Sequence, residues 1–126
     1  MSVYYLNEKR EPVGPVPFDD PLFHEYSKNP DSTVGRTEIG GYRVSTVFLL
    51  IDHRSIPGPA SLPIVFETMI FPINSNRDNP FGDYQERYCT WKEAEAGHEK
   101  AIQHVTKKIA GKEDSWLKKL GKRVLL

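Results

Sequence analysis

Four side chains in this 126-residue sequence combine a type that carries acid/base or metal chemistry with a place where it could be used: Asp52, His53, Glu67 and His98. Asp52 and His53 end the apolar run Val47–Ile51, placing a carboxylate and an imidazole where a buried strand would emerge into a loop. Glu67 stands inside an apolar strand pattern, on the same side as Val65, Met69 and Phe71, a departure that asks for an explanation. His98 falls in the apolar stripe of a helix, beside Gly97. Such residues could hold a divalent metal or pass a proton, provided they converge. With Ile51 opposite Ile64 in an antiparallel pair, Glu67 lies opposite Phe48, about 13 Å along the strand from Asp52 at about 3.3 Å per residue. That register separates the two carboxylates. It predicts instead that Asp52 accepts loop amide hydrogens, that Glu67 pairs with Arg87 or a tyrosine hydroxyl, and that His98 is a hydrogen-bonded core histidine.

Two other groups suit binding. Tyr84, Glu86, Arg87 and Tyr88 put aromatic and charged contacts on one strand, as partner-binding surfaces do. Trp116 with Lys118, Lys119, Lys122 and Arg123 forms a basic amphipathic segment. Residues 1–99 hold 9 basic and 15 acidic residues, a balance of −6, and residues 100–126 hold 8 basic and 2 acidic, a balance of +6. This split favours a protein partner or the chain's own acidic body over nucleic acid for the tail, because the rest of the chain would repel phosphate. A small ligand remains open, and no residue pattern demands a cofactor or metal. P-loop, dinucleotide-binding, nucleophile-elbow and paired-cysteine motifs are absent from the sequence. The lone Cys89 excludes an intrachain disulfide and fits a reducing compartment, and with no signal-like or membrane-spanning apolar run the expectation is a cytoplasmic protein.

The elements that must position these groups read as one α+β domain over residues 1–112, followed by the basic segment 113–126. Val3–Leu6 reads as an edge strand and Pro12–Pro17 as irregular, three prolines and a glycine opposing regular structure. Asp20-Pro21 starts a short helix to Lys28, with Leu22, Phe23 and Tyr26 on its buried side. Thr33–Ile39, Gly40-Gly41 and the run from Tyr42 to Asp52 form a hairpin whose second strand is central. Ile64–Phe71 and Tyr84–Cys89 follow as strands, separated by the loop Pro72–Asp83. Thr90 and Glu93 make a capping box for a helix whose stripe runs Trp91, Ala94, His98, Ala101, Ile102, Val105 and Ile109, closed by Gly111. A short separate helix over Ser115–Leu125 completes an antiparallel sheet of four to five strands with one long helix on one face.

The ordered motifs Arg43-Val-Ser-Thr-Val-Phe-Leu-Leu-Ile-Asp52-His53, Phe66-Glu67-Thr68-Met69-Ile70-Phe71 and Arg87-Tyr88-Cys-Thr90-Trp91-Lys-Glu93-Ala94-Glu-Ala-Gly97-His98 resemble a family of small, functionally uncharacterised proteins encoded by tailed phages and prophages. The resemblance spans roughly residues 33–105 and implies a phage origin without implying a reaction. Together with the missing catalytic signature, it favours an accessory protein that binds a host or phage macromolecule, as host-takeover or counter-defence factors do. A metal-dependent hydrolase or nuclease built on Asp52, His53, Glu67 and His98, and a minor virion or assembly protein, are the alternatives.

Overall fold

The computed structural model describes residues 2–54, 61–74 and 79–119, except the side chains of 113–119. The fold is α+β. In chain order the elements are β1 (Ser2–Leu6), β2 (Pro12–Pro17), α1 (Pro21–Lys28), β3 (Thr33–Ile39), β4 (Tyr42–Phe48), β5 (Phe66–Pro72), β6 (Gln85–Tyr88) and α2 (Trp91–Lys119). β3-β4-β5-β6 form one antiparallel sheet in sequence order, and β1 and β2 form a separate antiparallel pair.

The stretch Pro12–Pro17 is therefore a strand, contrary to the expectation from its prolines. Among the described residues β2 has β1 on one side only, so a missing proline N–H on its outer side removes no ladder bond. Its register against β1 breaks between Val3 and Tyr5, where Gly14 meets Tyr4 so closely that no Cβ would fit. Gly40 and Gly41 both have positive φ, at 57° and 85°, as the tight β3–β4 turn requires. In α1, the Asp20 carboxylate accepts the amides of Leu22 and Phe23, and Phe23 is buried. Leu22, expected on the buried side, is 64% exposed.

β4 is an interior strand of the sheet but stops at Phe48. Leu50 takes a left-handed φ of 67°, which turns the chain out of the ladder and leaves Ile51 exposed. The β4–β5 register pairs Val47 with Glu67 and Phe48 with Phe66, one residue away from the register inferred from sequence. Tyr42, Val44, Thr46 and Phe48 face α2, which buries Ala94, His98, Ala101 and Val105 in return. Helix α2 begins in the capping box, with Thr90 Oγ1 accepting the Glu93 amide and Glu93 Oε1 accepting the Thr90 amide, each at 3.1 Å. It does not end at Gly111. It continues as one helix to Lys119, so a separate helix starting at Ser115 is replaced by an extension of α2. A glycine in a helix interior weakens it by only about 1 kcal/mol relative to alanine, less than the rest of a long helix can supply.

Candidate functional site

The structure disperses the four candidate acid/base residues. Glu67 and Thr68 are neighbours on β5 and so point to opposite faces of the sheet. Thr68 lies under α2 in the His98 network, which puts Glu67 on the other face, away from His98. Asp52 sits beyond the end of β4 and staples a loop. Its Oδ1 accepts the amides of Arg54 and Ile64, both at 3.0 Å, and its Oδ2 accepts Arg54 Nε at 2.6 Å. Burial pushes the Asp52 carboxyl up, but those two amides and the Arg54 guanidinium outweigh it and hold the group below the usual carboxylate range. Glu67 Oε2 accepts Arg87 Nε and Gln85 Nε2, each at 2.9 Å. His53 is exposed, and its amide donates to Ile64 O. Among the described residues no three His, Cys, Asp or Glu side chains converge on a point that could hold a metal ion.

His98 is the centre of a buried polar belt. Its Nδ1 lies 2.8 Å from Thr46 Oγ1, and its Nε2 lies 2.9 Å from Thr37 Oγ1. Thr46 Oγ1 is 2.6 Å from Thr68 Oγ1, which accepts the Tyr88 hydroxyl at 3.1 Å. One ordering satisfies every member: Tyr88 donates to Thr68, Thr68 to Thr46, Thr46 to Nδ1, and Nε2–H to Thr37. That ordering needs a neutral imidazole. Burial indeed lowers the His98 pKa below its ordinary value, against a smaller opposing pull from Glu99. The belt separates two hydrophobic clusters, one around Phe48, Val65, Phe66 and Ala94, the other around Val44, Ile70, Ala101 and Val105. With only 7% of His98 exposed, the belt organises the core and offers no access to a substrate.

The binding candidates on β6 and just before it also divide. Tyr88 reaches inward to Thr68, and Tyr84 stacks on His104 with ring centroids 5.4 Å apart. Arg87 points to the opposite face, toward Glu67, and Glu86 is exposed. Trp116, Lys118 and Lys119 belong to the last turns of α2, where side chains lie outside the described residues, as do Lys122 and Arg123 altogether.

A feature that sequence reading missed lies where the β1–β2 turn meets the start of α2. A cleft of about 490 Å³ is lined by Lys9, Arg10, Leu62, Pro63, Trp91 and Lys92, among others. The turn is built on Asn7, whose Oδ1 accepts the amides of Lys9 and Glu11. Arg10 follows with a left-handed φ of 61°. Its guanidinium carbon lies 4.5 Å from the centroid of the Trp91 ring, and Trp91 is itself fixed edge-on against Phe66. No carboxylate among the described residues pairs with Lys9, Arg10 or Lys92. Leu62 is 63% exposed at the rim. Cys89 lines the same cleft, its thiol pushed up by burial rather than lowered by the helix start. Sequence spacing could not reveal this site, because Arg10 and Trp91 are brought together only by the packing of β1 against the core. No family model matches the chain, and comparison with curated proteins and with solved structures finds no match.

Proposed function

We propose that this is a small accessory protein that acts by binding a protein partner, with the cleft at Arg10 and Trp91 as its recognition site. The observation that carries the reading is the Arg10 guanidinium, held over Trp91 and flanked by Lys9 and Lys92, and in no ion pair with a carboxylate of the described residues. Aromatic and arginine side chains of this kind dominate binding energetics at protein interfaces. The resemblance to phage-encoded proteins supports a host or phage macromolecule as the partner, met in the host cytoplasm, in a host-takeover or counter-defence role. A metal-dependent hydrolase finds less support, since Asp52 and Glu67 are already hydrogen-bonded and Glu67 and His98 occupy opposite faces.

Lysine-directed cross-linking with mass spectrometry in bacterial cells tests this. Partner cross-links at Lys9 and Lys92 that disappear in Arg10→Glu are the expected result. Cross-links confined to other lysines, or a metal-dependent hydrolytic activity abolished by Glu67→Gln, would overturn it.

A further inference from the structure

Resting on that reading of the cleft, we infer that its occupant is a short acidic peptide segment, one carboxylate seated on Arg10 and an adjacent apolar side chain on Leu62 and Pro63. Arg10 presents a planar fork of donors that matches a carboxylate in two-point fashion. Its place in the chain is informative. A left-handed backbone favours glycine or asparagine, so an arginine at φ 61° keeps a conformation that a turn residue would adopt more easily. Stacking on Trp91 fixes the guanidinium beforehand, which reduces the ordering lost on binding.

The rest of the lining argues for a peptide over a polyanion. Glu11 also faces the cleft, its carboxylate accepting the Asn7 side-chain amide, so the cationic lining is confined to Lys9, Arg10 and Lys92, enough to seat one carboxylate but not a run of phosphates. Residues 1–99 carry a formal balance of −6, counted as 9 basic against 15 acidic, so an anionic ligand extending beyond the cleft would meet like charge, which limits the occupant to a short segment and disfavours a nucleic-acid strand most. Leu62, Pro63 and Pro12 supply an apolar shoulder that a bare inorganic anion would not use. Charge at the centre with apolar surface beside it is the pattern of an acidic segment carrying alternating apolar residues.

The test uses fluorescence anisotropy with the full chain and a short labelled peptide of alternating aspartate and leucine. Saturable binding is expected, weakened at least about tenfold when asparagine replaces aspartate in the peptide. Arg10→Gly should weaken it by a similar factor while its melting temperature stays at or above that of wild type, because glycine suits the left-handed turn. A purely structural Arg10–Trp91 stack would give the reverse, lower stability with unchanged binding. Leu62→Ser should weaken the peptide roughly tenfold and leave inorganic phosphate unaffected. Equal binding by Arg10→Gly, tighter binding of a single-stranded oligonucleotide than of the peptide, or no saturable peptide binding would each overturn the inference. Cross-links at Lys9 and Lys92 in cells without peptide binding would reject the acidic segment while keeping the broader binding function.

Discussion

The Tyr88 hydroxyl occupies the space that a side chain at position 97 would need, so Gly97 and Tyr88 are fitted to each other across the α2–β6 contact. A Cβ there would also meet the tyrosine ring, and Tyr88 could yield only by giving up its bond to Thr68 at 3.1 Å. Alanine is the better helix former by about 1 kcal/mol, but overpacking of this kind costs about 1–3 kcal/mol and the lost hydrogen bond adds to it. Gly97→Ala should therefore destabilise the domain by about 2 kcal/mol in urea unfolding. In a Tyr88→Ala background the same change should become neutral or stabilising, and a double-mutant cycle showing no coupling would contradict the fit.

His98 gives the domain a pH dependence whose sign follows from its lowered pKa. The folded state holds the imidazole neutral below the ordinary value of 6.5, where the unfolded chain already binds a proton. Stability is therefore whole above about pH 6.5 and falls as pH drops through that value toward the folded one, by up to about 1.4 kcal/mol per pH unit. Asp52 also loses its contribution on acidification, but only as pH falls below its ordinary carboxyl value of 3.8. Unfolding free energies measured between about pH 7 and about pH 5 should decline in wild type and decline less in His98→Gln. Parallel curves would assign the acid sensitivity elsewhere.

Tyr26 carries the one buried side-chain polar atom left without a partner among the described residues, its hydroxyl. Burial, with a smaller effect from Asp31, pushes its pKa up to about 12. The ring packs at 6.3 Å from both Tyr5 and Phe48, contacts that phenylalanine would keep. Tyr26→Phe should leave stability unchanged or raise it by up to about 1 kcal/mol, since it removes an unsatisfied group and no hydrogen bond. A drop in melting temperature would reveal a bond that the hydroxyl does make.

Gly111 lies within α2, exposed and with nothing within 4 Å of where a Cβ would stand. Gly111→Ala should stabilise the protein by about 1 kcal/mol and increase helical circular dichroism on partial melting. Had Gly111 closed the helix in a left-handed cap, alanine would be strained there, and a loss of stability on substitution would restore that arrangement.

Local chemistry was enough to reveal much of this chain. Asp20-Pro21, the Gly40-Gly41 turn and the Thr90/Glu93 box each satisfy backbone geometry or orphan amides within a few residues, so their composition marks the element boundaries. The 3.6-residue stripe of α2 likewise showed that Ala94, His98, Ala101 and Val105 would be buried, since helical spacing alone decides which residues share a face. The pairing of Glu67 with Arg87 and the amide bonds of Asp52 followed from the need to satisfy groups that leave water. What depends on two distant segments could not be seen. The β4–β5 register slipped by one residue because the left-handed turn at Leu50, a leucine with no glycine-like signal, shortens β4. The prolines of β2 are tolerated because only one edge of that strand is paired, a property of the sheet and not of the segment. His98 could be placed in the core, but its threonine partners come from β3 and β4, with Thr68 of β5 joined through Thr46, and only the packing of α2 across three strands selects them. The Arg10–Trp91 cleft is the same case at the surface: each residue is ordinary in its own turn or helix, and their contact exists only because the N-terminal hairpin docks beside the start of α2.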